Sequence, residues 1–197
     1  MRTLILKVCV IVAAGLSSCA LAAGPLYTNK EYCFSALQPA DMSISTVRQG
    51  AQFNFGKRCG IVGESGCNSI LVYAMYFFEG IDLLADATDM YPSDKGWALK
   101  PDDGLGPAKG WSQQTLVRGS GDQRREVHIY ARPLRRSELA ASHGLVIAVG
   151  YRIIAEFDSS ERKTFSKSVP QVLASWRMLE GCDPFKTSAA GISGGGS

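Results

Sequence analysis

The sequence predicts an α+β fold, with an antiparallel β-sheet that carries a C-terminal α-helix packed on one face and is stapled by disulfides. Three observations predict it. Apolar residues recur in strand-like runs at 69–79, 111–118, 126–131 and 145–157, a helical repeat closes the chain at 169–179, and four cysteines follow an export-type leader. At 197 residues, 46% apolar and 20% charged, the composition is that of one globular domain, which excludes wholesale disorder and a collagen-like repeat.

Residues 1–22 have a basic start at Arg2, an apolar stretch at 8–16 and small residues before Ala23, the pattern of a cleaved signal peptide. Lys7 interrupts the apolar run, which is too short to span a bilayer. Two processing chemistries compete. Ala20-Leu21-Ala22 suits an ordinary signal peptidase and a periplasmic or secreted product, whereas Leu16-Ser17-Ser18-Cys19 is similar to a bacterial lipobox, in which Cys19 becomes the lipidated first residue of an outer-membrane lipoprotein. Membrane attachment is expected only through lipid on Cys19. Removing Arg2 and Lys7 from 21 basic residues leaves 19 against 18 acidic ones, a balance that gives no general attraction to nucleic acid.

The folded part is expected at 23–185. Residues 25–32 lead in, and 43–55 holds strand-like stretches either side of Gln49-Gly50. Residues 69–79 are apolar on both alternating faces, as suits a central strand covered on both sides. Residues 80–110 are rich in Asp, Pro and Gly and are expected to form a long binding loop with little regular structure. The stretches 111–118 and 126–131 then read as a hairpin around the turn Gly119-Ser120-Gly121-Asp122. In 145–157 one face carries Leu145, Ile147, Val149, Tyr151, Ile153, Ala155 and Phe157, predicting a long core strand with a bulge at Gly150. Val169, Val172, Leu173, Trp176 and Leu179 recur at helical spacing, with Ser168 or Val169 as cap, Pro170 in the first turn and Gly181 as stop. Residues 186–197 are a Gly/Ser tail.

The run GWSQQTLVRG, REVHIYARPL and GLVIAVGYRIIAEF, followed by a helix ending in LASWRML, resembles the PsbP-like and DcrB-like family of small α+β domains over residues 110–180. The resemblance implies a non-enzymatic, envelope or assembly-associated binding domain, with no catalytic residues to carry over.

Cys33, Cys59, Cys67 and Cys182 are an even set in an exported chain and are expected to form disulfides. Three connectivities are open. Cys59 and Cys67 bracket the glycine-rich loop GIVGESG, so the expected pairs are Cys59–Cys67 and, by elimination, Cys33–Cys182. The Cys-x7-Cys spacing is not that of a zinc knuckle, and no cofactor is expected.

Charge is segregated along the chain. Residues 79–103 carry seven acids against two lysines, and residues 104–136 carry seven basic residues against two acids. Such blocks either pair with each other or face a charged partner. The partner expected is another envelope protein, met through Asp82, Asp86, Asp89, Tyr91 and Trp97 of the long loop, with Arg124 and Arg125 of the hairpin as a second contact. An immunity-type inhibitor filling a toxin's basic cleft is one concrete form, and an assembly-associated factor is another. The alternatives are a structural outer-membrane lipoprotein and a secreted serine hydrolase. In the latter, Gly63-Glu64-Ser65-Gly66, similar to the nucleophile segment of trypsin-like proteases, would use His128 or His143 as base, although Cys67 and Asn68 replace that segment's following residues. His128 is expected to point outward from its strand or to lie under a loop.

Overall fold

A computed structural model describes residues 24–57, 59, 67–78, 80–101, 103–106, 108–136 and 147–184. The expected signal segment with Cys19, Ser65, His143 and the Gly/Ser tail lie outside the described residues. In chain order the elements are β1 (Leu26–Asn29), β2 (Phe34–Leu37), β3 (Met42–Val47), β4 (Gly50–Phe55), β5 (Ser69–Phe78), α1 (Leu83–Thr88), β6 (Ala98–Leu99), β7 (Ser112–Arg118), β8 (Arg125–Arg136), β9 (Ile147–Asp158), α2 (Arg162–Ser175) and β10 (Arg177–Met178). Strands β3-β4-β5-β9-β8-β7-β6 form one antiparallel sheet, and β1-β2-β10 form a small second one.

The centre of the large sheet is covered on both sides. Val149, Tyr151, Ile153, Ala155 and Phe157 of β9 face a core built with Phe34, Phe53, Ile70 and the buried face of α2, Phe165, Val169, Val172 and Leu173. On the opposite face Leu71, Val127, Ile129 and Ile154 meet Ala87, Tyr91 and Trp97 from α1 and the chain after it. Two covered faces explain why β5 and β9 are apolar almost throughout. The small sheet lies on the α2 side, since Tyr32, Phe34 and Ala36 belong to that core.

Both predicted disulfides are present, Cys33–Cys182 across 149 residues and Cys59–Cys67 across 8. The first joins the loop before β2 to the turn after β10, and there Leu179 N–H donates to the Cys33 carbonyl at 2.9 Å.

Four expectations are corrected. The segment 80–110 is not a structureless loop, because Leu83 and Ala87 bury one side of α1 and Asp82 caps its first turn. The final helix starts six residues before Ser168 and ends at Ser175. Pro170 therefore lies inside it, and the carbonyl it cannot bond belongs to Ser166, which is exposed to water. Trp176 turns to an extended conformation, with its N–H still on Val172 O at 2.9 Å, which frees Arg177 and Met178 to pair with Ser35 and Phe34. The bulge is in β8, between Leu134 and Arg136, rather than at Gly150. Gly150 serves a different need, since a Cβ there would lie 2.4 Å from Leu83 Cδ1, so its absence lets α1 close on the sheet.

Candidate functional site

The outer face of α1 gathers most of the predicted acidic surface. Asp82, Asp86 and Asp89 are spaced four and three residues apart, which puts them on one side of the helix, and all three are exposed. Asp82 accepts from Leu84 N at 2.8 Å and Ala85 N at 3.2 Å, Asp86 receives Arg152 Nη2 at 2.5 Å, and Asp89 is the C-cap. Large apolar side chains next to them in the chain are also exposed: Phe78 (57% exposed), Ile81 (43%) and Met90 (47%). A hollow of about 150 Å³ lies at the head of the helix between Ile81, Leu83, Ala131 and Pro133. Sequence reasoning missed these apolar residues as a surface, although their adjacency to the aspartates was visible.

The remaining members of the predicted binding set sit elsewhere. Tyr91 and Trp97 are buried, packed edge to face at 5.1 Å, with Arg118 over the Trp97 ring, so they anchor the 89–100 segment to the sheet and present nothing to a partner. Burial, then Glu156, pushes the Tyr91 phenol well above its usual range, and its hydroxyl donates to Glu156 at 3.4 Å. Arg125 is also buried, held by Glu156 at 3.0 Å, Asp158 at 2.6 Å and the Cys67 carbonyl at 2.5 Å. Arg124 is partly exposed beside Glu126 at 3.8 Å. Among the described residues the ion pairs do not join the two charge blocks. The acidic block reaches Arg152 and Arg162, which lie beyond the basic block, while Arg125 reaches Glu156 and Asp158.

His128 does not point outward or lie beneath a mere loop. It is 1% exposed on the α2 side of β8 and stacked on Phe157 with ring centroids 5.4 Å apart. Thr115 Oγ1 lies 3.1 Å from its Nδ1, and its Nε2 lies 3.3 Å from Glu126 Oε2. Glu126 also accepts from Ser159 Oγ at 2.9 Å and pairs with Arg162, which reaches on to Asp103 at 2.5 Å. Burial tends to raise the Glu126 pKa, but His128, Ser159 and Arg162 hold it down at about 2. Burial lowers the His128 pKa despite Glu126. An ionised Glu126 only accepts, so Nε2 carries the proton and Nδ1 accepts from the Thr115 hydroxyl.

The order hydroxyl, imidazole, carboxylate is that of a nucleophile relay. Here Thr115 is itself buried and within 3.3 Å of the Asp103 carbonyl, and it forms part of the wall of a cavity of about 290 Å³ with Leu99, Lys100 and Gln113. The arrangement ties β7, β8, the 103–105 segment and the start of α2 together. The sequence signal for it was the pairing of His128 with Glu126 two residues apart, on one face of a strand. No group of three metal-ligating side chains is placed to hold an ion among the described residues, and no described helix is long and apolar enough to cross a membrane.

No family model matches the chain, and no curated protein matches it. Among solved structures it is similar in fold to the crystal structure of LpqN, involved in cell envelope biogenesis of Mycobacterium tuberculosis, at 12% identity and a TM-score of 0.46, covering 74% of this chain and 83% of that one. It is also similar to the solution structure of cyanobacterial PsbP (CyanoP) from Synechocystis sp. PCC 6803, at 10% identity and a TM-score of 0.40, covering 85% of this chain and 99% of that one.

Proposed function

We propose that the chain is an exported, non-enzymatic binding domain of the cell envelope that recognises a basic protein partner through the outer face of α1. The observation that carries this reading is the mixed exposed character of α1 and the chain beside it, where exposed Phe78, Ile81 and Met90 flank exposed Asp82, Asp86 and Asp89 in the sequence. Apolar side chains supply contact area and the acids supply orientation and a faster encounter with a positively charged patch. The two disulfides fit an oxidising compartment outside the cytoplasm. An immunity-type inhibitor, with the acidic face filling a toxin's basic cleft, is the most specific form of this reading.

The test is capture of the partner from the envelope under oxidising conditions, using a tag on the Gly/Ser tail, with Asp82→Asn/Asp86→Asn/Asp89→Asn as comparison. Asn at position 82 can still cap α1, so the helix should persist. The triple variant should recover much less partner, and its residual binding should lose its salt dependence. Equal recovery at every salt concentration would reject the α1 face as the contact.

A further inference from the structure

Strand β3, with sequence MSISTV, is one edge of the large sheet. Its hairpin with β4 closes on the Val47–Gly50 pair around the two-residue loop Arg48-Gln49, so residues 43, 45 and 47 bond to β4. Met42, Ile44 and Thr46 therefore turn their backbone N–H and C=O groups away from the sheet. Met42 is satisfied locally, by the Pro39 carbonyl at 3.1 Å and the Gln38 amide at 2.5 Å. The outward groups of Ile44 and Thr46 have no partner among the described residues.

Soluble proteins blunt open edges with charge, proline, a bulge or a very short strand. The opposite edge obeys this rule, since β6 is two residues long and is followed by Lys100 and Pro101. The β3 edge does not. It has six residues with no charge, no proline and an unbroken register, and Ile44 is 44% exposed.

We propose that β3 pairs antiparallel with β3 of a second copy of this chain, making the sheet continuous across a two-fold axis. Two features of the strand select a second copy. Near the two-fold axis each side chain lies close to its own symmetry mate, so a charge at the middle of the strand would meet its like, and β3 holds none. The exposed residues flanking the strand are opposite in sign, Asp41 before it and Arg48 after it, and the two-fold brings Asp41 of each copy to the end where Arg48 of the other lies. Because Met42 is already satisfied, the register places Ile44 opposite Thr46 of the second copy, which uses every open group of both residues. The shared strand edge is short, so association should depend on concentration. Helix α1 packs on β7 and β8 toward the far edge, leaving both acidic faces of the dimer open to partners.

The test is sedimentation equilibrium of the chain purified after export, from micromolar to millimolar concentration. The mass should rise from one chain toward two. Asp41→Arg and Arg48→Asp should each hold the chain at one, because each sets like charges together at both ends of the pair. An equal mixture of the two variants should associate again, since each then offers the charge the other needs. Both positions are exposed, and circular dichroism of each variant checks its fold. A chain that stays monomeric at millimolar concentration overturns the proposal, and so does a dimer that both single variants leave intact.

Discussion

Lowering the pH from about 7 to about 2 titrates Glu126 where its carboxylate is the common acceptor of His128, Ser159 and Arg162. The side chain is 3% exposed, so solvent screens these contacts little. Its pKa stands at about 2 against an ordinary 4.5, and a gap of that size corresponds to about 3 kcal/mol of folding free energy. The direction follows from proton binding. The unfolded chain takes up this proton below 4.5 while the folded chain resists it until about 2, so the contribution is complete above pH 4.5 and is lost as pH falls through about 2. His128 acts in the same sense at higher pH. Burial lowers its pKa below 6.5, so the unfolded chain protonates first and stability begins to decline below that value.

The two contributions separate in Glu126→Gln, which keeps the shape and removes the charge. Urea unfolding of both proteins at a series of pH values gives the free-energy difference between them at each. That difference should be largest at about pH 7 and shrink by about 3 kcal/mol toward about pH 2, while the decline below 6.5 persists in the variant. A difference that stays constant across the whole range would show that the network does not hold Glu126 as a carboxylate, and the reasoning would fail.

Removing the two disulfides should have unequal effects. The loop-entropy estimate gives about 5 kcal/mol for a bridge across 149 residues and about 2.5 kcal/mol for one across 8, so Cys33→Ala/Cys182→Ala should lower the urea midpoint well below that of Cys59→Ala/Cys67→Ala. Cys33 has a left-handed φ of 57°, so Cys33→Gly/Cys182→Ala should recover part of that loss. Gly150→Ala should destabilise by about 1 to 3 kcal/mol, because its new methyl enters the space of Leu83 and lies 3.0 Å from Phe77. A double-mutant cycle with Leu83→Ala should show the two losses adding to less than their sum, and strict additivity would place the clash elsewhere.

What the sequence made legible was local or chemically constrained. A run apolar on both faces located β5, alternation located β9, the turn at Gly119-Ser120-Gly121-Asp122 located the β7–β8 hairpin, and an even cysteine count with one glycine-rich bracket gave both disulfides. What escaped it depends on contacts far apart in the chain. Phe34–Leu37 becomes a strand by pairing with β1 and with Arg177–Met178, and nothing in FSAL announces that partner. The same pairing pulls Trp176 out of the helical conformation its spacing suggested. Helix α1 was hidden because its buried stripe is only Leu83 and Ala87. The aromatic anchors of 80–110 were misplaced for a related reason. Once a short helix shapes the segment, Tyr91 and Trp97 reach the sheet, and the surface passes to the less conspicuous Phe78, Ile81 and Met90.

The buried charges turn this layering into a constraint on register. Arg125 and Glu126 are consecutive in β8 and point to opposite faces, Arg125 to Glu156 and Asp158 of β9 and Glu126 to Arg162 of α2. A slip of one residue would exchange the faces and leave both charges buried without partners, a far larger cost than the modest net worth of the pairs themselves. Arg152 plays the matching part on the α1 side, where it is almost wholly buried and reaches outward to Asp86 and to the Tyr73 hydroxyl at 3.1 Å. Asp86 therefore belongs both to the acidic surface and to the bond that seats α1. A cation arriving from a partner would compete with Arg152 for it, whereas Asp82 and Asp89 form no ion pair with the sheet among the described residues. It follows that Asp82→Asn/Asp89→Asn isolates the surface contribution to binding. Any additional loss on adding Asp86→Asn measures the coupling between the α1 seat and the face it presents.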